Sequence, residues 1–142
     1  MNIAGKHGWN DLEDYLHVIL RVAESHPFVV EHHLEREISP EAGKVSGDIL
    51  CHGDIVLNVD KHFEIRRLDN RRQARTTRYS YHAQTKEGKP ILRYDNAHCR
   101  QGHPTHHHKH DWLSEEEEIT HVGANWPHLS EVLDELRDRT WK

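Results

Sequence analysis

The chain is poor in cysteine: Cys51 and Cys99 are the only two among 142 residues. Two thiols that form no CxxC cannot build a disulfide framework. They read as reduced thiols of a cytoplasmic protein, with Cys99 as a ligand beside His98 and His103 the alternative. Long apolar runs are absent as well. The longest is a few residues, whereas a bilayer-spanning helix needs about 20, so no membrane segment is expected. The N-terminus has no apolar core of the signal-peptide kind, and a cytoplasmic location is the expectation. No GxxxxGK phosphate loop occurs, which argues against a nucleotidyl- or phosphoryl-transfer enzyme. There is no internal repeat and no long linker. The length is that of one domain, 1–142.

Apolar residues make up 35% and charged residues 30% of the chain. The apolar residues fall in compact runs, Phe28-Val29-Val30 and Ile55-Val56-Leu57, so a modest core is feasible and wholesale disorder is not expected. The net charge of −5 hides an asymmetry. Residues 61–110 hold 12 Lys or Arg against 4 Asp or Glu, a net +8, and the remainder holds 7 against 20, a net −13. A basic middle between acidic ends suggests a surface that faces a polyanion, unless the charges interleave in space.

The pattern predicts a helix over Asp11 to Glu24, where Leu12, Tyr15, Leu16, Ile19, Leu20 and Ala23 recur at three- and four-residue spacing. Asn10 or Asp11 can cap it, and His26-Pro27 ends it. Strands follow: Phe28 to Ile38, with Val30, Leu34 and Ile38 on one face; Val45 to Cys51; and Ile55 to Ile65, with Ile55, Leu57, Val59, Phe63 and Ile65 at odd positions. Asp69-Asn70 marks a turn. Gln73 to Gln84 and Lys89 to Tyr94 read as a hairpin around Lys86-Glu87-Gly88. Gln101 to Glu118 reads as an irregular loop whose acidic run Glu115 to Glu118 is solvated. A last helix starts near Pro127, with Leu129, Val132, Leu133 and Leu136 as its apolar stripe. Short connections favour antiparallel neighbours. The expected fold is α+β: a twisted antiparallel sheet of about five strands packed with an N-terminal and a C-terminal helix.

Chemistry concentrates between Tyr94 and His110. Six of the 16 histidines lie within the thirteen residues His98 to His110. If His106 to His110 is extended, His106, His108 and His110 share one face, and His107 and Lys109 the other. Asp95 can lie near either set. Two chemistries fit. In metal-free RNA cleavage a neutral histidine takes the 2′-hydroxyl proton and a protonated one gives a proton to the leaving oxygen. Arg93 and Lys109 would stabilise the phosphorane charge, and Asp95 would orient an imidazole. In metal binding, His98, His106, His108 and His110 offer ligands for zinc or another divalent transition metal, either structural or activating water. Ordinary solvent-exposed histidines are the plain alternative. Arg66, Arg67, Arg71, Arg72, Arg75 and Arg78 form a second feature, able to contact phosphates or an acidic partner segment. Tyr79 and Tyr81 can stack on unpaired bases or serve as cross-strand core.

Three blocks occur in order: Tyr79-Ser80-Tyr81-His82-Ala83-Gln84; Ile91-Leu92-Arg93-Tyr94-Asp95-Asn96-Ala97-His98; and His107-His108-Lys109-His110. They resemble the TumE-type toxins of bacterial and archaeal toxin–antitoxin pairs. There a YSYH strand pairs with an RYDN or RWDNAPH strand, followed by an FPHHKH loop and a short LEEVLEE-like helix, to which Leu129-Ser130-Glu131-Val132-Leu133-Asp134-Glu135 is similar. The resemblance covers about residues 26–138. Thr105-His106 replaces the Phe-Pro, and the segment after Ala97 contains Cys and Gly. The resemblance implies a toxin with a cognate antitoxin, acting on RNA. On that reading Arg93, Asp95, His107, His108, Lys109 and His110 are catalytic candidates. Tyr79, Tyr81, His82, Asn96, Arg71, Arg72 and Arg75 are binding candidates. The cofactor is none or a divalent metal, and a homo-oligomer is a further possibility. A non-catalytic metal-binding or protein-interaction module is the alternative.

Overall fold

The computed structural model describes residues 6–96, 107–114 and 116–141. The elements run β1 (Asn10–Asp11), α1 (Leu12–Ser25), β2 (Val29–His32), β3 (Glu35–Ile38), β4 (Ala42–Cys51), β5 (Ile55–Leu68), β6 (Arg71–Thr85), β7 (Pro90–Asp95), β8 (His108–Asp111), β9 (Glu118–His121) and α2 (Leu129–Thr140). The nine strands form one open sheet with main order β2-β4-β5-β6-β7-β8-β9, while β3 pairs with β4 and β1 with β6. Every pairing is antiparallel. The fold is α+β with two helices, as expected, but about five strands was an underestimate.

Three places account for the difference. Phe28 to Ile38 is not one strand: β2 and β3 both pair with β4, with a register shift between Val29 and Glu31. Between them His33 donates its N–H to Asp48 O. The chain passes so close to β4 that a Cβ on Gly47 would lie 2.2 Å from His33 O, and Gly47 has φ +143°; only glycine fits there. Val30 and Ile38 accordingly stay exposed rather than forming a buried face. The two-residue β1 carried no alternation to detect. Finally, Gln101 to Glu118 is not wholly irregular, because it contains β8 and the start of β9.

Both helices lie on one face of the sheet. Asp11 caps α1, accepting from the N–H groups of Glu13 and Asp14. Leu12, Tyr15, Leu16, Ile19 and Ala23 are its buried stripe. α2 buries Leu129, Val132, Leu133 and Leu136, and at its start the Glu131 carboxylate accepts from His128 N–H. These meet the alternate positions of the central strands: Leu57, Val59 and Phe63 on β5, Tyr79, Tyr81 and Ala83 on β6, Leu92 and Tyr94 on β7. Burying each such side chain is worth about 1.5–3 kcal/mol before entropy is counted. Among the described residues, the opposite face of the central strands carries no helix.

Candidate functional site on the open sheet face

Residues paired across antiparallel strands point the same way. The register therefore builds two adjacent rows on the helix-free face. One runs Asp48, Asn58, His82, Arg93, His110, Ile119; the other Ser46, Asp60, Ser80, Asp95, His108, His121. Four imidazoles, one guanidinium and one carboxylate thus come from β6 to β9 onto one patch.

Asp95 is at its centre with no exposed surface. Arg93 Nε donates to Asp95 Oδ2 at 2.5 Å. His110 Nε2 stands 3.7 Å from the same oxygen, and its Nδ1 is 2.9 Å from Glu117 Oε2. His108 lies between two other imidazoles, with ring centroids 4.8 Å from His121 and 6.3 Å from His110. Burial, then the charges of Arg93 and His110, push the His82 pKa below that of a free imidazole. Among the described residues, the buried Nε2 of His82 has no hydrogen-bond partner. Trp112 follows the alternation onto this face and stands 6.2 Å from His110 and 6.4 Å from His82, ring to ring.

Of the residues singled out in the sequence, Arg93, Asp95, His108, His110 and His82 are brought together. His107 and Lys109 are on the other face, as strand alternation requires. His107 Nδ1 is 2.9 Å from the Tyr79 hydroxyl, and its ring stacks 5.5 Å from Trp126. Lys109 donates to Glu135 at 2.6 Å. Glu135 also accepts from the Tyr94 hydroxyl at 2.6 Å and from Arg139 at 2.9 Å, and Arg139 in turn grips Asp111. Lys109 therefore ties β8 to α2 on the face away from the histidine patch.

The binding candidates occupy several settings. Tyr79 and Tyr81 have no exposed surface, so neither can stack on a base. The side chain of Asn96 is a staple rather than a ligand-facing group: its Oδ1 accepts from Tyr79 N–H and its Nδ2 donates to Thr77 O. Arg75 is held by Glu64 at 2.7 Å and, with Arg66, flanks the Trp9 ring. Arg71 and Arg72 are exposed where β5 turns into β6. Of the metal set, His98 and His106 lie outside the described residues, as do Cys99 and His103. Among the described residues no three His, Cys, Asp or Glu side chains converge as metal ligands.

Sequence reasoning missed His121, Glu117 and Trp112. The pairing of β9 with β8 reveals His121, the contact with His110 reveals Glu117, and the alternation of β8 carried one step further reveals Trp112. The acidic run is not purely solvated, because Glu117 reaches His110 and Glu118 begins β9.

Among the described residues no helix is long and apolar enough to cross a membrane. No curated protein and no solved structure matches the chain. The family described as Toxin TumE matches residues 16–140, reaching further into α1 than the motifs alone indicated, and the chain belongs to that family.

Proposed function

We propose that this protein is the toxin of a toxin–antitoxin pair and that it cleaves RNA at the imidazole-lined face of its sheet. The observation that carries the reading is the pair of cross-strand rows that set His82, Arg93, Asp95, His108, His110 and His121 side by side. Cleavage at a ribose needs a base for the 2′-hydroxyl, an acid for the 5′ leaving oxygen and a positive group for the phosphorane. His82 suits the base, since burial and Arg93 favour its neutral ring. His110 suits the acid: its Nδ1 is held by Glu117, while its Nε2, without a hydrogen-bond partner among the described residues, is left to give a proton to the leaving oxygen. Arg93 supplies the positive charge, and Asp95 fixes its orientation. Trp112, beside both histidines, offers the stacking surface that Tyr79 and Tyr81 do not. The antitoxin would be a separate protein that covers this face.

The test is cleavage of a mixed-sequence RNA by the purified chain, in chelator and with added zinc or manganese. His82→Asn and His110→Asn are compared with His17→Asn on the exposed side of α1. Cleavage in chelator, lowered 100-fold or more by either site variant and unaffected by the α1 variant, is the expected result. Cleavage that requires metal would convert the same imidazoles into ligands. Intact RNA under every condition would overturn the reading.

A further inference from the structure

On the opposite side of the sheet, away from the histidine rows, a cavity of about 360 Å³ opens between α1, the start of α2 and strands β5 and β6. Lys61 lines it and is 4% exposed. Its ammonium sits among three aromatic rings, 5.3 Å from the centroid of Tyr15, 5.6 Å from Trp126 and 5.9 Å from Tyr81. Among the described residues it has no hydrogen bond and no ion pair. An ammonium withdrawn from water normally finds a carboxylate, and π faces compensate for only part of the lost hydration.

The cavity wall shows what would complete it. Val18, Ile19, Val22 and Leu129 give it an apolar side, and its size is that of small-molecule sites. The titratable groups that face Lys61 from the surrounding elements are mostly basic or neutral: Lys6 and His7 from the N-terminal segment, Tyr15 from α1, and His128 ahead of α2. Among the described residues, Asp14, exposed on α1, is the single carboxylate of the lining. Lys6 is already paired with Glu131 at 2.7 Å. His7 is held on the Trp126 carbonyl at 2.6 Å with its ring stacked on the indole.

We infer that this cavity binds a small organic anion, its carboxylate or phosphate head on Lys61 and its apolar body along Val18, Val22 and Leu129. The ammonium, without an ion pair among the described residues, attracts a negative head group, and the aliphatic wall favours an occupant with an apolar body over an inorganic ion. Burial lowers the Lys61 pKa to about 8, so the head group meets a charged amine at neutral pH and a neutral one well above it. This inference is independent of RNA cleavage, since none of the residues on the histidine rows lines the cavity.

The full-length chain is titrated with octanoate, octyl phosphate, acetate and inorganic phosphate, followed by calorimetry and by tryptophan fluorescence with Trp126→Phe as the optical control. Saturable one-to-one binding of octanoate or octyl phosphate is expected, at least ten-fold tighter than acetate or phosphate, and the better of the two identifies the head group. Lys61→Met should weaken it ten-fold or more, and so should raising the pH from 7 to 9.5. Val18→Glu, at an exposed position on the cavity wall, is the second variant and keeps the test valid if Lys61→Met alters the fold. Absence of saturable binding by either octyl compound overturns the inference. So does binding that both variants and the pH change leave intact.

Discussion

Lys61 occupies a position where the alternation of β5 demands an apolar side chain. Its neighbours on that face, Val59 and Phe63, are fully buried. The odd-numbered apolar series from Ile55 to Ile65 skips this one residue, and that gap was the signal in the sequence. The folded-state pKa, about 8, lies below the ordinary lysine value of 10.5. Folding therefore carries its full penalty below about pH 8, where both states are charged, and the penalty fades as pH rises toward 10.5. Lys61→Met should accordingly stabilise the ligand-free protein by up to about 3 kcal/mol at pH 7. Denaturant melts at pH 7 and pH 10 should show that gain shrinking at the higher value. A variant less stable than the parent at pH 7 would mean that the aromatic cage repays the ammonium in full. His82 makes a parallel case on the open face. Because its pKa is lowered, the rate of RNA cleavage should hold as pH falls past 6.5 and decline only below it. Arg93→Gln should lower the rate and move that acid limb upward, since one of the charges that depress His82 is gone. An unmoved limb in a pH–rate profile of kcat/KM would assign the base elsewhere.

At the scale of elements, β8 depends on α2. The strand is only His108–Asp111, too short to hold itself by ladder bonds. What fixes it is the group of Lys109, Asp111, Glu135, Arg139 and Tyr94. Glu135 accepts from three of them and, despite burial, its pKa is lowered by Lys109, Tyr94 and Arg139. Removing it leaves two cations and a hydroxyl without their shared acceptor, whereas Glu135→Gln keeps an acceptor oxygen. Glu135→Ala should cost about 2–3 kcal/mol, with Glu135→Gln losing less. It should also speed amide exchange of His108 to Asp111 before the rest of the sheet. Uniform loss of protection would show that β8 is not separately held. The same dependence explains what the sequence revealed. Helices α1 and α2 and the long strands β4 to β7 were legible because each buries one face, which imprints a period of 3.6 or 2. Asp11 and the Asp69-Asn70 turn were legible through local chemistry. Strands β8 and β9 were not, because their residues are almost all polar: His-Lys-His-Asp and Glu-Ile-Thr-His carry no alternation of hydropathy, and β8 is fixed by long-range salt links to α2. The histidine block was visible as composition. Which of its members share a face with Asp95 depends on the β7–β8 register, and only the folded sheet supplies it.

The whole molecule separates its charges by face and by end. The β5–β6 hairpin extends well past β7, which pairs only as far as Ser80, and carries Arg66, Arg67, Arg71, Arg72 and Arg75 beyond that point. From His82 the open face continues along β6 to Arg78, where the register shift opposite His62 and Phe63 flips the alternation, so that beyond it Arg75 and Arg71 lie on this face and Arg72 on the other; strand geometry puts Arg71 roughly 35 Å from the histidine rows. A single-stranded RNA bound at the rows and following this face would reach the hairpin tip after several nucleotides. Among the described residues Arg71 and Arg72 lack the clamp that Glu64 and Trp9 place on Arg75, and both are exposed, which suits them to phosphate contacts. Each phosphate contact releases condensed counterion and adds about 0.7 to the slope of log affinity against log salt for a single strand. Arg71→Gln with Arg72→Gln should therefore lower affinity for a long RNA at low salt and flatten that slope by about one unit or more. Affinity for a trinucleotide, too short to reach the tip, should be unchanged. If the long RNA keeps its slope, the basic hairpin serves something other than the substrate, and its acidic partner would be sought in the antitoxin.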